Sequence, residues 1–363
     1  MKPILIISSY LILIFHSTAD AQTISNPNGF EIRTGVNLGL WLSQSQKRGI
    51  EREKYITKTD FDTIAALGFD HVRLPIDEIH FWDENNNRQS EAFELLHNAV
   101  IWAKESKLKI IIDLHIIRSH HFNGKTNTLW SDPKEQDKLV EIWAQLSQEL
   151  IKYPNNFLAY ELMNEAVADN PEDWNNLIQK LVSSVRKTEP NRSIVIGSNM
   201  WQGAQTFPYL EVPKGDKNLI LSFHFYDPFG FTHYKTPWTV LKEYSGNVNY
   251  PGTVATKDDL KEYSIEHVDE IKWAMGYADK KTLSTKIDIA VEKAKKLTLP
   301  LYCGEYGVFR LTPKKPALKW YQDMVEIFTE KNIAYCHWLY KGDFPIVDEQ
   351  SFPNRSVSDV ITR

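Results

Sequence analysis

The 363-residue sequence has little of several things, and each shortage excludes a class of protein. Cysteine occurs at only two positions, Cys303 and Cys336, so no disulfide framework holds the chain. Charge of neither sign dominates: 42 Lys and Arg stand against 47 Asp and Glu, a net of −5, which gives no grip on nucleic acid or on anionic lipid. The 25% of charged residues beside 42% hydrophobic ones excludes a disordered chain, a collagen and a coiled coil. No internal repeat marks a solenoid or propeller. The first strand-like run leads into Gly35-Val36-Asn37-Leu38-Gly39, which is not a dinucleotide-binding Gly-x-Gly-x-x-Gly turn, and no Gly-x-Ser-x-Gly nucleophile elbow is present. The longest apolar run, Ile4 to Phe15, falls short of the roughly 20 residues that a bilayer span needs.

What is present is informative. Lys2 precedes that apolar run, and Ala19-Asp20-Ala21 follows it with the small-x-small form of a signal-peptidase site. Residues 1–21 read as a secretory signal peptide, and residues 22–363 as a single domain secreted or delivered to the periplasm, with no membrane attachment after cleavage. A chain of this length buries about 75% of its unfolded surface, so it needs no metal or crosslink to be stable. Cys303 and Cys336 are expected to be buried free thiols.

Short β-rich apolar runs recur at Thr34–Leu38, Asp70–Leu74, Lys109–Leu114, Leu158–Leu162, Ser193–Ile196, Leu219–Phe223, Leu299–Tyr302 and Ile333–Tyr335. Their continuous apolar character suits parallel strands covered on both faces. Helical periodicity lies between them, at Thr59–Leu67, Ala92–Lys107, Lys134–Lys152, Glu172–Thr188, Lys281–Leu297 and Lys315–Glu330. Eight such strands alternating with helices predict an α/β fold, a single (β/α)8 TIM barrel; a doubly wound open sheet is the alternative. Two long connections, Ile116–Pro133 after the third strand and Tyr226–Ala278 after the sixth, rise from the face where barrel enzymes keep their sites. No linker or second domain is visible, and the chain is expected to act as a monomer.

Polar residues cluster at the C-terminal ends of these strands. They are Arg73, His115, Asn164, Glu165, His224, Tyr226, Glu305 and Trp338. Packing alone does not explain them, because such groups cost free energy when buried unpaired. The two glutamates decide the chemistry. Breaking a glycosidic bond needs a proton for the departing oxygen and negative charge across an oxocarbenium-like centre, and two carboxyl groups supply both. One must hold a proton while the other is ionised. Arg73 near Glu305, with Tyr226 donating to it, would keep Glu305 ionised; the charge of Glu305 would raise Glu165, making it the acid.

This set resembles the family 5 glycoside hydrolases, the cellulase family of the retaining (β/α)8 clan. That family has Asn-Glu after strand four, a second Glu after strand seven, Arg after strand two, His after strand three, His-x-Tyr after strand six and Trp after strand eight. The resemblance runs over nearly the whole chain beyond residue 21. It implies that Glu305 is the nucleophile and Glu165 the acid/base. It also implies that Asn164 binds the sugar 2-hydroxyl, that His115 and Trp338 bind and stack the sugar, and that His224 sets the protonation of Glu165.

Among the 11 tryptophans, Trp41, Trp130, Trp201 and Trp238 fall in loops and are candidate platforms for sugar rings. Trp102, Trp143, Trp174, Trp273 and Trp320 lie in or beside helices and read as packing residues. His115, His120 and His121 invite a metal, but no convergent further ligand accompanies them; neither a metal nor a cofactor is expected. Asn191-Arg192-Ser193 and Asn354-Arg355-Ser356 fit the N-glycosylation pattern.

The expected partner is a β-linked oligo- or polysaccharide. Endo-β-1,4-glucanase activity is the first expectation, because it dominates the resembled family. Gly35-Val36-Asn37-Leu38-Gly39-Leu40-Trp41-Leu42 also resembles the Gly-Val-Asn-Leu-Gly-Gly-Trp-Leu opening of exo-β-1,3-glucanases, with Leu40 in place of a glycine. Mannanase activity, xyloglucanase activity and a sugar-binding barrel without catalysis stay open beside these two.

Overall fold

A computed structural model describes residues 23–125, 127–260, 268–348 and 353–363. The expected signal peptide at residues 1–21 lies outside the described residues. The core is a closed barrel of parallel strands: β1 (Thr34–Asn37), β2 (His71–Asp77), β3 (Lys109–Ile116), β4 (Leu158–Glu161), β5 (Ser193–Gly197), β6 (Leu219–Phe225), β7 (Leu301–Tyr306) and β8 (Ala334–His337). Each strand pairs with its successor and β8 closes on β1, so the TIM-barrel expectation holds and the open sheet does not. The strands are almost wholly buried, which is why they read as continuous apolar runs.

The predicted helices are α1 (Lys58–Ala66), α2 (Ser90–Glu105), α3 (Pro133–Leu150), α4 (Pro171–Arg186), α5 (Lys280–Leu297) and α6 (Lys314–Glu330). Local chemistry starts them. The Asp132 and Asn170 side chains cap α3 and α4, each with proline at the first helical position, where the missing N–H costs nothing. Asp279 caps α5. Between β5 and β6 a 3-10 turn, Ala204–Tyr209, stands where a full helix would be, and it packs on α5. After β8 the chain adds α7 (Arg355–Ile361), which the sequence pattern does not announce; α7 packs on α6. No helix among the described residues is long and apolar enough to cross a membrane.

The two ends of the barrel differ. At the N-terminal end, a hairpin of Ile24–Ser25 and Glu31–Ile32 brings Ile24, Phe30 and Ile32 against Ile111, Ala159, Val195, Ile220, Tyr302, Ala334 and Cys336. This plug is apolar. One layer higher, the inward positions become Arg73, Asp113, Glu161, Ser222 and Glu305, all buried. Glu305 reaches that layer through an irregularity. Tyr302 faces the interior, so strict alternation would turn residue 305 outward. The register of β7 shifts between Cys303 and Glu305 and sets Glu305 opposite His224. Glycine is required inside that shift, because a Cβ on Gly304 would lie 2.9 Å from Ser222 Oγ and 3.2 Å from His224 Nε2. Cys303 and Cys336 are buried and unbridged.

Candidate active site

The centre of the barrel mouth is Arg73, whose side chain is fully buried. Its Nε and Nη2 donate to the two oxygens of Glu161 at 2.7 and 3.1 Å. Nη1 donates to Glu305 Oε1 at 2.7 Å and to Asn37 Oδ1 at 2.9 Å. Nη2 also donates to Asn164 Oδ1 at 2.8 Å and lies 3.0 Å from Asp113 Oδ2. One guanidinium thus faces three carboxyl groups. Burial works against its charge, but the three acids outweigh burial and hold Arg73 protonated well above its usual range.

The acids divide that one charge. Burial pushes Asp113 up to about 7, with Arg73 opposing. Burial also raises Glu161, again against Arg73. Arg73 is expected to keep Glu305 ionised. Burial raises its proton affinity, while Arg73 and the hydrogen bond from Tyr226 pull it back. The physical reason is the sharing: Arg73 is not dedicated to Glu305. Glu165 lies well above the ordinary carboxylate range, first through burial and then through the charge of Glu305. Of the two, Glu165 is raised the further, so a shared proton favours it.

Tyr226 Oη donates to Glu305 Oε2 at 2.9 Å. His224 Nδ1 lies 2.8 Å from Glu165 Oε1 and 3.8 Å from Glu305 Oε2. One side-chain atom each from Glu165, His224 and Glu305 fall within 4.8 Å of one another. Burial keeps both histidines of the site neutral, with His115 at about 4 and His224 well below its normal value. His115 Nδ1 meets Asp113 Oδ2 at 2.7 Å, and its Nε2 faces Gln44 Nε2 at 3.1 Å; Nδ1 therefore carries the hydrogen and Nε2 accepts. The His115 ring stacks on Trp338 at 5.5 Å and 9°. Asn164 Nδ2 is buried and has no hydrogen-bond partner among the described residues.

The sequence matches the family model for Cellulase (glycosyl hydrolase family 5) over residues 26–343. The chain belongs to glycosyl hydrolase family 5. Endoglucanase C of Acetivibrio thermocellus is 31% identical over 327 residues, covering 88% of this chain and 95% of that enzyme. Cellodextrinase A of Ruminococcus flavefaciens is 28% identical and covers 83% of each chain. The endoglucanase Cel5A of Thermotoga maritima shares the fold, with a TM-score of 0.73 at 24% identity over 91% of this chain and 96% of that one. As a family 5 member, the protein is a glycoside hydrolase.

All eight family-pattern residues, Arg73, His115, Asn164, Glu165, His224, Tyr226, Glu305 and Trp338, meet at the barrel mouth of this family 5 chain. The loop tryptophans do not behave alike. Trp201 is 46% and Trp238 52% exposed, so each has a face to offer. Trp201 donates to Phe122 O at 2.8 Å, and Phe122 packs on His115. Trp238 packs on Phe344, which packs on Tyr226. Trp41 is no sugar platform. It is fully buried, stacks on Trp102 and donates to Arg52 O at 2.8 Å. Trp130 is half-buried and packs against His120, Trp174 and the main core. Conversely Trp273, read as a packing residue, is 78% exposed.

Several residues of the site are not singled out by the sequence pattern. Glu161 and Asp113 each carried a signal, a lone charge inside an otherwise apolar buried run. Asn37 sits in the segment that resembles exo-β-1,3-glucanases, and its amide ties Arg73 to Gly304 O and His337 O. That segment serves the barrel: Asn37 braces Arg73, Trp41 fills the core, and Leu40 takes φ 60° where the resembled motif has glycine. Gln44 and Gln202 carried no signal, being uncharged polar residues in the connections after β1 and β5.

Proposed function

We propose that the protein is a retaining endo-β-1,4-glucanase working by double displacement, with Glu305 as nucleophile and Glu165 as acid/base. The observation that carries the reading is the approach of the two carboxyl groups to within 4.8 Å at their ligand atoms. Retaining enzymes hold their carboxyl groups about 5–5.5 Å apart, whereas inverting ones leave about 6.5–9.5 Å for a water. The unequal proton affinities support the division of roles. Glu305 receives hydrogen bonds from Arg73 and Tyr226, which stabilise its charged form. Glu165 is raised by burial and by Glu305, so it holds a proton to give.

In the first step a Glu305 oxygen bonds to the anomeric carbon. The glycosidic C–O bond breaks, and the Glu165 proton passes to the departing oxygen. In the second step Glu165 takes a proton from water as the water oxygen bonds to the same carbon and Glu305 leaves. The unpaired Asn164 Nδ2 is suited to hold the sugar 2-hydroxyl, a contact that strengthens as positive charge grows on the ring. The stacked Trp338 and His115 form an aromatic and polar wall beside the reacting sugar. Trp201 and Trp238 offer exposed ring faces linked to that wall through Phe122 and Phe344, which favours a long chain over a single sugar. The relative at 31% identity is an endoglucanase, which supports β-1,4-glucan as substrate. We also propose export by the segment 1–21, on the strength of its composition.

Product analysis tests this reading. Carboxymethylcellulose should lose viscosity early and yield mixed short products, and proton NMR should show the β-anomer formed first. First formation of the α-anomer would overturn retention. Release of glucose alone, or cleavage of mannan or β-1,3-glucan with cellulose untouched, would overturn the endo-β-1,4 assignment.

A further inference from the structure

The turn after β5 has an unusual backbone. Met200, Trp201 and Gln202 all lie in the left-handed region, at φ 53°, 58° and 53°. Three consecutive non-glycine residues there are costly, and such strain persists only where the surroundings impose it. The facing segment after β4 carries a fourth such residue, Glu165 itself, at φ 45°.

These two segments are stitched together. Trp201 N–H donates to Ala166 O at 3.3 Å. Asn199 accepts from Ala168 N–H at 2.8 Å and donates back to Ala168 O at 2.7 Å. The bond nearest the chemistry belongs to Gln202. Its Oε1 accepts from the backbone N–H of Glu165 at 2.8 Å. Its Nε2 donates to Ser222 Oγ at 3.1 Å and to Glu161 Oε1 at 3.3 Å. The side chain is 1% exposed. It reaches inward across Gly197, where a Cβ would stand 2.1 Å from Gln202 Cγ. The strained turn and the bare glycine both serve to aim this one amide.

We propose that Gln202 is a positioning residue that sets the acid/base carboxyl of Glu165 against the nucleophile. The inference rests on the proposed roles of Glu165 and Glu305. Gln202 ties the Glu165 backbone to Glu161, Glu161 is gripped twice by Arg73, and Arg73 holds Glu305. Through this path both reacting carboxyl groups are located by one buried frame. The left-handed backbone at Glu165 has its N–H anchored by Gln202, so losing that anchor lets the carboxyl drift from the departing oxygen.

The test separates positioning of the acid from a general loss of structure. Values of kcat/KM, which report the first step, are compared on cellotetraose and on 2,4-dinitrophenyl β-cellobioside, whose leaving group departs without a proton. Gln202→Met keeps the length of the side chain and removes all three polar contacts. It should lower kcat/KM on cellotetraose by about 30- to 100-fold, the scale of a misplaced general acid, while the dinitrophenyl substrate changes by less than about threefold. Equal losses on both substrates, or no loss on either, would overturn the proposal. If Gln202→Met does not fold, Gln202→Asn, which keeps the amide but is too short to reach Glu165 N–H, carries the same expectation. Glu165→Gln is run alongside. Equal losses in that control would defeat the assignment of Glu165, whereas a selective loss there with none at Gln202 would defeat only the present inference.

Discussion

Replacing Arg73 by methionine removes the cation on which the whole site is assembled. Methionine retains much of the stem volume, so the change is chiefly electrostatic. Asp113, Glu161 and Glu305 then remain buried without the partner that touches all three. Breaking a buried ion pair from one side costs about 3–5 kcal/mol. Unfolding a domain of about 340 residues carries an entropy of about 0.7 kcal/mol/K, so the melting midpoint should fall by about 4–7 °C. The size of the fall must depend on pH. Burial already raises these three carboxyl groups, and losing Arg73 raises them further above their unfolded values. The folded variant then binds more protons than the unfolded chain, and its stability declines as pH rises. The gap from wild type should be widest above neutrality, where Asp113, at about 7, is losing its proton even with Arg73 present. It should narrow toward about pH 4, near the unfolded carboxylate values. Calorimetry of both proteins from about pH 4.5 to 8 measures this. A midpoint loss that is the same at every pH would refute the claim that Arg73 holds these carboxylates.

Other outcomes follow from the same geometry. Glu305→Gln should cost at least about a thousandfold in kcat with the fold intact, as measured by steady-state kinetics and circular dichroism. Wild-type activity should fall as pH rises through the raised value of Glu165, and Glu165→Gln should erase that alkaline limb of the pH–rate profile. Trp41→Ala should lower stability by about 3–5 kcal/mol in denaturant melts while leaving KM for cello-oligosaccharides within about twofold. Trp238→Ala should do the reverse, raising KM for polymer with little change in the melt, because its ring is 52% exposed.

The barrel was legible because a parallel strand buried on both faces is largely apolar, and the runs from Thr34–Leu38 to Ile333–Tyr335 keep enough apolar residues to show it despite the polar Arg73, Asp113 and Glu161 within them. Strand ends were less so. The seventh strand was expected at Leu299–Tyr302 and lies at Leu301–Tyr306, because polar Glu305 continues a strand whose apolar pattern has already stopped. The added helix α7 was missed because Arg355–Ile361 covers too few turns to display a period. Tryptophan shows the limit from another side. Trp41 in a loop is fully buried, and Trp273 in a helix is exposed, so the element that carries an aromatic ring does not reveal which surface the ring meets.

Residue type and order along the chain determined the fold class and singled out two glutamates at strand ends, since barrel strands deliver their last polar residues to one mouth whatever the loops do. Tertiary structure decided how those residues share charge. That Arg73 serves Asp113 and Glu161 as well as Glu305, that a register shift at Gly304 turns Glu305 inward, and that Gln202 reaches back to the Glu165 backbone are all contacts between segments distant in the chain. Proton affinity depends on burial and on neighbours within a few ångströms, and linear order specifies neither until the barrel closes.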